Sequence, residues 1–200
     1  MFADTYKTIA APSCGCYSEK GSKFIAHAFP VSEENSVKMI LADLKKQYHD
    51  ARHHCYAYIL GYTKSATRLN DDGEPSGTAA RPIYGQLLSR DLTNILVVVS
   101  RYFGGTKLGI PGLIHAYKTA TEDALDKSMM IEKYIMERYR VTFNYAEMNR
   151  VMQILKNENV KIEQQQADNQ CSIIFSVRMK SADSIISLLK KIKNCKIDNP

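Results

Sequence analysis

The sequence predicts an α+β fold in two units, residues 1–129 and 130–200. Three observations predict it. Ile95-Leu96-Val97-Val98-Val99 is an apolar run long enough for a strand covered on both faces and too short for a membrane helix. Stripes of apolar residues at helical spacing alternate with strand-like patterns along the first unit. Past residue 130 the patterns run β-α-β-β-α, the order of a ferredoxin-like split βαβ.

The first unit opens with short strands at Tyr6–Ile9, Gly15–Glu19 and Lys23–Phe29, the last two joined by a Lys20-Gly21-Ser22 turn. Ser32 is placed to cap a helix with Glu33 and Glu34 in its first turn, where the dipole favours acids. Val37, Ile40, Leu41, Leu44 and Tyr48 give that helix one buried face. Strands follow at His54–Leu60 and Thr67–Asn70. A helix from near Thr78 carries Ile83, Leu87 and Leu88, with Pro82 tolerated in its first turn. Asn94–Ser100 is the central strand. Pro111 suits the first position of a further helix, whose Leu113, Tyr117, Ala120 and Ala124 lead to about Lys127.

In the second unit Ile135, Tyr139, Val141 and Phe143 mark a strand, and Met148, Val151, Met152 and Leu155 a helical stripe. Val160–Gln166 and Cys171–Met179 form a hairpin whose second strand alternates strictly. Ser181 is placed to cap a helix through Ile185, Leu188, Leu189 and Ile192, with a last strand at Cys195–Ile197.

Composition is that of an ordinary soluble chain, 44% hydrophobic and 24% charged. The first residues carry neither a basic nor an apolar leader segment, so secretion is not expected. Five scattered cysteines (14, 16, 55, 171, 195) do not make a disulfide framework and fit the reducing cytoplasm. Cys14-x-Cys16 lacks the further ligands a metal site needs. The net charge is +6, divided +2 before and +4 after residue 130, which favours an anionic partner, most commonly nucleic acid.

Two loops concentrate charge and glycine at strand-to-helix junctions. The first is Asp71-Asp72-Gly73-Glu74-Pro75-Ser76-Gly77-Thr78-Ala79. Asp71, Asp72 and Glu74 are hard oxygen donors, weak candidates for Mg²⁺ in a spacing that is not an EF-hand. Alternatively Asp71-Asp72-Gly73 makes a turn and Glu74 pairs with a base elsewhere. Ser76, Gly77 and Thr78 lie at a helix start, either as anion-binding groups or with Ser76 or Thr78 as the N-cap. The second is Arg101-Tyr102-Phe103-Gly104-Gly105-Thr106-Lys107-Leu108-Gly109. Gly104, Gly105 and Gly109, beside Arg101 and Lys107, form the kind of glycine-rich turn that cradles phosphate. Ile110-Pro111 after Gly109 excludes a P-loop, and G-x-G-x-x-G is absent. Either Arg101 contacts phosphate or it pairs with Asp71, Asp72 or Glu74 and locks the loops together.

His53, His54 and His115 offer bases, and Cys55 a thiol. His54 and Cys55 are adjacent on a strand and point to opposite faces, so they form no catalytic pair. No catalytic residue is assigned. In the second unit, strand parity puts Tyr134, Arg138, Arg140, Arg178 and Lys180 on the open sheet face, a basic surface with an aromatic, as in RNA-binding domains of this topology. The RNP1 aromatic signature is absent. A plain solvated sheet face is the alternative.

Both loops, with Lys20-Gly21-Ser22-Lys23-Phe24-Ile25-Ala26 and His53-His54-Cys55-Tyr56-Ala57-Tyr58, resemble the YigZ/IMPACT family in its bacterial two-domain form. The resemblance implies a first domain like domain IV of elongation factor G and a small-subunit ribosomal protein. It implies a second, ferredoxin-like domain similar to domain V of that factor. It also implies a link to translation: eukaryotic relatives restrain a starvation-activated initiation kinase by competing for its activator, using an additional N-terminal domain. It supplies no catalytic residues. Ala80, Pro111 and His115 stand where relatives often have Gly, Gly and Arg.

The function expected is therefore that of a translation-related binding protein in the cytoplasm. It would contact RNA, a ribosomal surface or a translation factor through the two loops and the basic second-unit sheet. No cofactor is expected unless the acids hold Mg²⁺. The alternatives are a Mg²⁺-dependent hydrolase of a phosphorylated substrate and a module that binds a translation regulator.

Overall fold

A computed structural model describes residues 4–158, 160–168 and 170–200. The chain divides into two compact units, residues 6–133 and residues 134–200 together with 4–5.

The first unit is built on a five-stranded antiparallel sheet in the order β2-β3-β6-β4-β5. Its strands are β2 (Ser13–Glu19), β3 (Ser22–Pro30), β4 (His53–Leu60), β5 (Ala66–Asn70) and β6 (Ile95–Tyr102). A separate pair joins β1 (Thr5–Ile9) to β7 (Met130–Tyr134). Helix α1 (Glu34–Gln47) covers one sheet face, its Val37 and Leu44 packing on Tyr58, Leu60, Leu96 and Val98. Helices α2 (Ala80–Ser89) and α3 (Gly109–Asp126) cover the other, against Ala26, Cys55, Ala57, Ile95, Val97 and Val99. The central strand is apolar on both faces because helices lie on both. Even-numbered β6 residues face α1, and odd-numbered ones face α2 and α3.

The second unit runs β8 (Met136–Phe143), α4 (Met148–Asn157), β9 (Lys161–Ala167), β10 (Cys171–Arg178), α5 (Met179–Lys190) and β11 (Lys196–Asp198). Its sheet is antiparallel, in the order β11-β8-β10-β9. Val141, Phe143, Ile173 and Phe175 form its core with Val151, Leu155, Ile185 and Leu189 of the helices.

Several local expectations are corrected. Glu33, not Ser32, is the N-cap residue of α1. Pro111 is the third residue of α3, still in the first turn, where its missing N–H is harmless. Tyr134 ends β7, and Ile135 separates it from β8. Lys180 is not on the sheet face: β10 ends at Arg178, and Lys180 lies in the first turn of α5. Ser181 does not cap that helix. The Lys180 amide donates to the Asp4 carboxylate at 3.1 Å, so a residue distant in sequence does so. Burial opposes ionisation of Asp4, but Arg178 and the Lys180 amide outweigh it and hold its pKa down.

Candidate functional site

The site lies where the α2/α3-facing core of the first sheet runs out. The odd-numbered row of β6 continues from Ile95, Val97 and Val99 to Arg101, which puts a guanidinium on a core face at 6% exposure. Cross-strand pairing sets Phe24 on one side of Arg101 and His53 on the other. A charge so placed requires a counter-charge. Glu74 supplies it from the acidic loop: Arg101 Nη1 donates to Glu74 Oε1 at 2.5 Å, and the Tyr117 hydroxyl of α3 donates to the same oxygen at 2.8 Å. His53 Nε2 lies 3.9 Å away. The Arg101 guanidinium also stands over the rings of Phe24 (5.4 Å) and Phe103 (5.7 Å).

Beneath this pair, the Cys55 sulfur lies 3.0 Å from the Asp71 carbonyl and 3.3 Å from the Tyr117 hydroxyl. Burial pushes both the Cys55 thiol and the Tyr117 phenol up, so both stay protonated. Cys55 is fully buried and is a packing residue, not a nucleophile.

The three acids of the first loop do different things. The Asp71 carboxylate accepts from the amides of Gly77 (2.9 Å), Ala79 (3.1 Å) and Ala80 (2.8 Å) and caps α2. The Asp72 carboxylate accepts from the His54 amide at 2.7 Å, and its carbonyl meets His53 Nδ1 at 2.8 Å. Glu74 holds Arg101. Among the described residues no group of three or more His, Cys, Asp or Glu side chains is arranged to hold a metal ion. Neither Ser76 nor Thr78 caps α2: Ser76 is exposed, and the Thr78 hydroxyl donates to the Pro75 carbonyl at 2.7 Å. The Gly77 amide is used by Asp71.

In the second loop Gly104 crosses the Lys20-Gly21-Ser22 turn so closely that a Cβ on it would lie 1.9 Å from the Gly21 carbonyl carbon. Its amide donates to Ser22 Oγ at 3.1 Å. Gly105 and Gly109 take the left-handed conformation, with φ of 89° and 74°.

The two loops enclose a recess of about 480 Å³. Glu74, Pro75 and Arg101 line it with Phe103, Lys107, Leu108, Gly109, Ile110 and Leu113, and Arg52 and His53 complete it. Of the predicted residues it gathers Glu74, Arg101, Lys107 and Gly109, while Asp71, Asp72, Ser76, Gly77, Thr78, Gly104 and Gly105 are not part of its lining. Arg52, Phe103 and Ile110 escaped sequence reasoning. Phe103 carried a usable signal as a large apolar residue within a loop of glycines and basic side chains, whereas Ile110 stands in the first turn of α3. Lys107 and Arg52 are exposed and have no ion-pair partner among the described residues. Helix α3 presents its N-terminus at Gly109 with no acid in its first turn, so the recess is electropositive.

In the second unit the open sheet face does carry Arg138, Arg140 and Arg178, but each faces a carboxylate. Arg138 Nε donates to Glu163 at 2.6 Å, Arg178 Nη2 donates to Asp4 at 2.6 Å, and Arg140 lies 4.0 Å from Asp198. Arg178 stacks 3.5 Å above the Tyr134 ring.

Residues 20–125 match the family described as the Impact N-terminal domain. The chain belongs to the IMPACT family. IMPACT family member YvyE of Bacillus subtilis is 31% identical over 177 residues, 88% of this chain and 82% of the relative. IMPACT family member YigZ of Escherichia coli is 30% identical over 175 residues, 86% and 85% of the two chains. A crystal structure described as that of a hypothetical protein aligns with all of this chain and 98% of its own, with a TM-score of 0.79 and 24% identity. That likeness concerns the fold. The family-matched segment of this IMPACT chain spans both loops and the recess between them. Among the described residues no helix is long and apolar enough to cross a membrane.

Proposed function

We propose that this IMPACT-family protein is a translation-related binding protein of the cytoplasm that contacts RNA, free or at a ribosomal surface. The observation that carries the reading is the electropositive recess, which is lined by Arg52 and Lys107, neither with an ion-pair partner among the described residues, and by Gly109 at the N-terminus of α3. The ferredoxin-like reading of the second unit fits its strand order, and its arginines supply a secondary contact. They rank second because each already faces a carboxylate, although exposed pairs of this kind are weak and can exchange for phosphate. A binding role is favoured over a Mg²⁺-dependent hydrolase because Asp71, Asp72 and Glu74 direct their carboxylates at three different protein partners. Filter binding with a structured RNA at two salt concentrations tests the reading. Affinity should fall steeply with salt, and absence of binding at low salt would refute it.

A further inference from the structure

We propose that the recess takes one unstacked nucleoside phosphate, its base against Phe103 and its phosphate at Lys107, Arg52 and the N-terminus of α3. This rests on the recess being the binding site argued above and goes further by naming what enters it. A volume of about 480 Å³ is that of a small-ligand pocket and does not admit a duplex.

The lining has two characters. Phe103, Leu108, Ile110 and Leu113 make an apolar wall, and Phe103 is 39% exposed. Arg52, Arg101 and Lys107 set three cations against the single carboxylate of Glu74. A bare anion would leave the wall unused, and an apolar ligand would strand the cations. A nucleotide satisfies both, because its base stacks on an aromatic ring and its phosphate meets basic groups and free helix amides. The Arg52 guanidinium stands 5.7 Å from the Phe103 ring centroid, which pairs the aromatic surface with a cation.

Calorimetric titration of the whole 200-residue chain with AMP, adenosine and inorganic phosphate tests the proposal. Fluorescence titration with a short 5′-phosphorylated single-stranded oligoadenylate and with the duplex of the same length extends it. AMP should bind saturably and about tenfold more tightly than either of its parts, and the single strand more tightly than the duplex. Phe103→Ala and Lys107→Ala should each weaken AMP about tenfold; Lys107→Ala should leave the unfolding midpoint unchanged because its side chain is exposed, and Phe103→Ala should lower it only modestly, since it also removes the ring beside Arg101. Phosphate binding as tightly as AMP, with Phe103→Ala without effect, would reduce the recess to an anion hole and overturn the proposal. Binding of AMP without binding of the single strand would support it, with a free nucleotide as the source, and would remove the RNA reading. Binding of structured RNA without AMP or any single-strand preference would overturn it and leave the RNA reading standing.

Discussion

Arg101 and Glu74 are each nearly buried, so neither can lose its partner cheaply. Glu74→Ala leaves a guanidinium without its counter-charge and is expected to cost about 3–5 kcal/mol of stability, read as a lowered denaturant midpoint. A smaller loss than about 1 kcal/mol would mean that water already reaches the pair. His54 makes a separate prediction. Its Nδ1 meets Ser100 Oγ at 2.9 Å, and burial holds its pKa below 6.5. The unfolded chain therefore protonates first as pH falls, and this contribution to stability, present above about pH 6.5, is lost on acidification. His27 is lowered by burial in the same sense. Urea midpoints should decline between about pH 7 and pH 5, and less steeply in a His27→Gln, His54→Gln variant. An unaltered slope would place both titrations outside folding. The Arg101 row was readable from parity, since it continues the odd-numbered residues of an apolar strand. Its partner was readable only in part: Glu74 is the acid expected to pair with a base, but by charge Asp71, Asp72 and Glu74 are equal candidates for Arg101.

Among elements, the helix starts were the least legible. Sequence rules look for a cap at the residue before the helix. Here α2 is capped from Asp71, eight and nine residues upstream of the amides at Ala79 and Ala80, and α5 from Asp4, 176 residues from Lys180. Local spacing carries no trace of such bonds. Asp71→Ala removes three amide partners at once and should destabilise by about 2 kcal/mol, the upper end for a lost cap, with increased amide exchange at Ala79 and Ala80. Gly104→Ala drives a methyl into the backbone of the Lys20-Gly21-Ser22 turn and should cost about 3 kcal/mol or more, measured by thermal unfolding. Gly105→Ala, with open space around its Cβ, tests φ alone and should cost only about 1 kcal/mol.

For the whole molecule, the net charge of +6 says that an anionic partner is favoured without saying where it sits. Salt slopes can assign it. Lys107→Ala and Arg52→Ala should each reduce the slope of log affinity for RNA on log salt by about one, while Arg138→Ala should change it less, its charge being already opposed by Glu163. The reverse ranking would move the contact to the second sheet. The amino-acid order alone determined the α+β class, the helical and strand stripes, the doubly apolar central strand and the family, because these rest on periodicity and on short motifs read along the chain. Tertiary structure decided which carboxylate meets Arg101, which aspartates cap the helices, where β10 gives way to α5, and that Phe103, Arg52 and Ile110 share a recess with Lys107. Those pairings join residues that only the packed sheet and helices bring within reach, and charge or spacing along a chain does not encode distance across it.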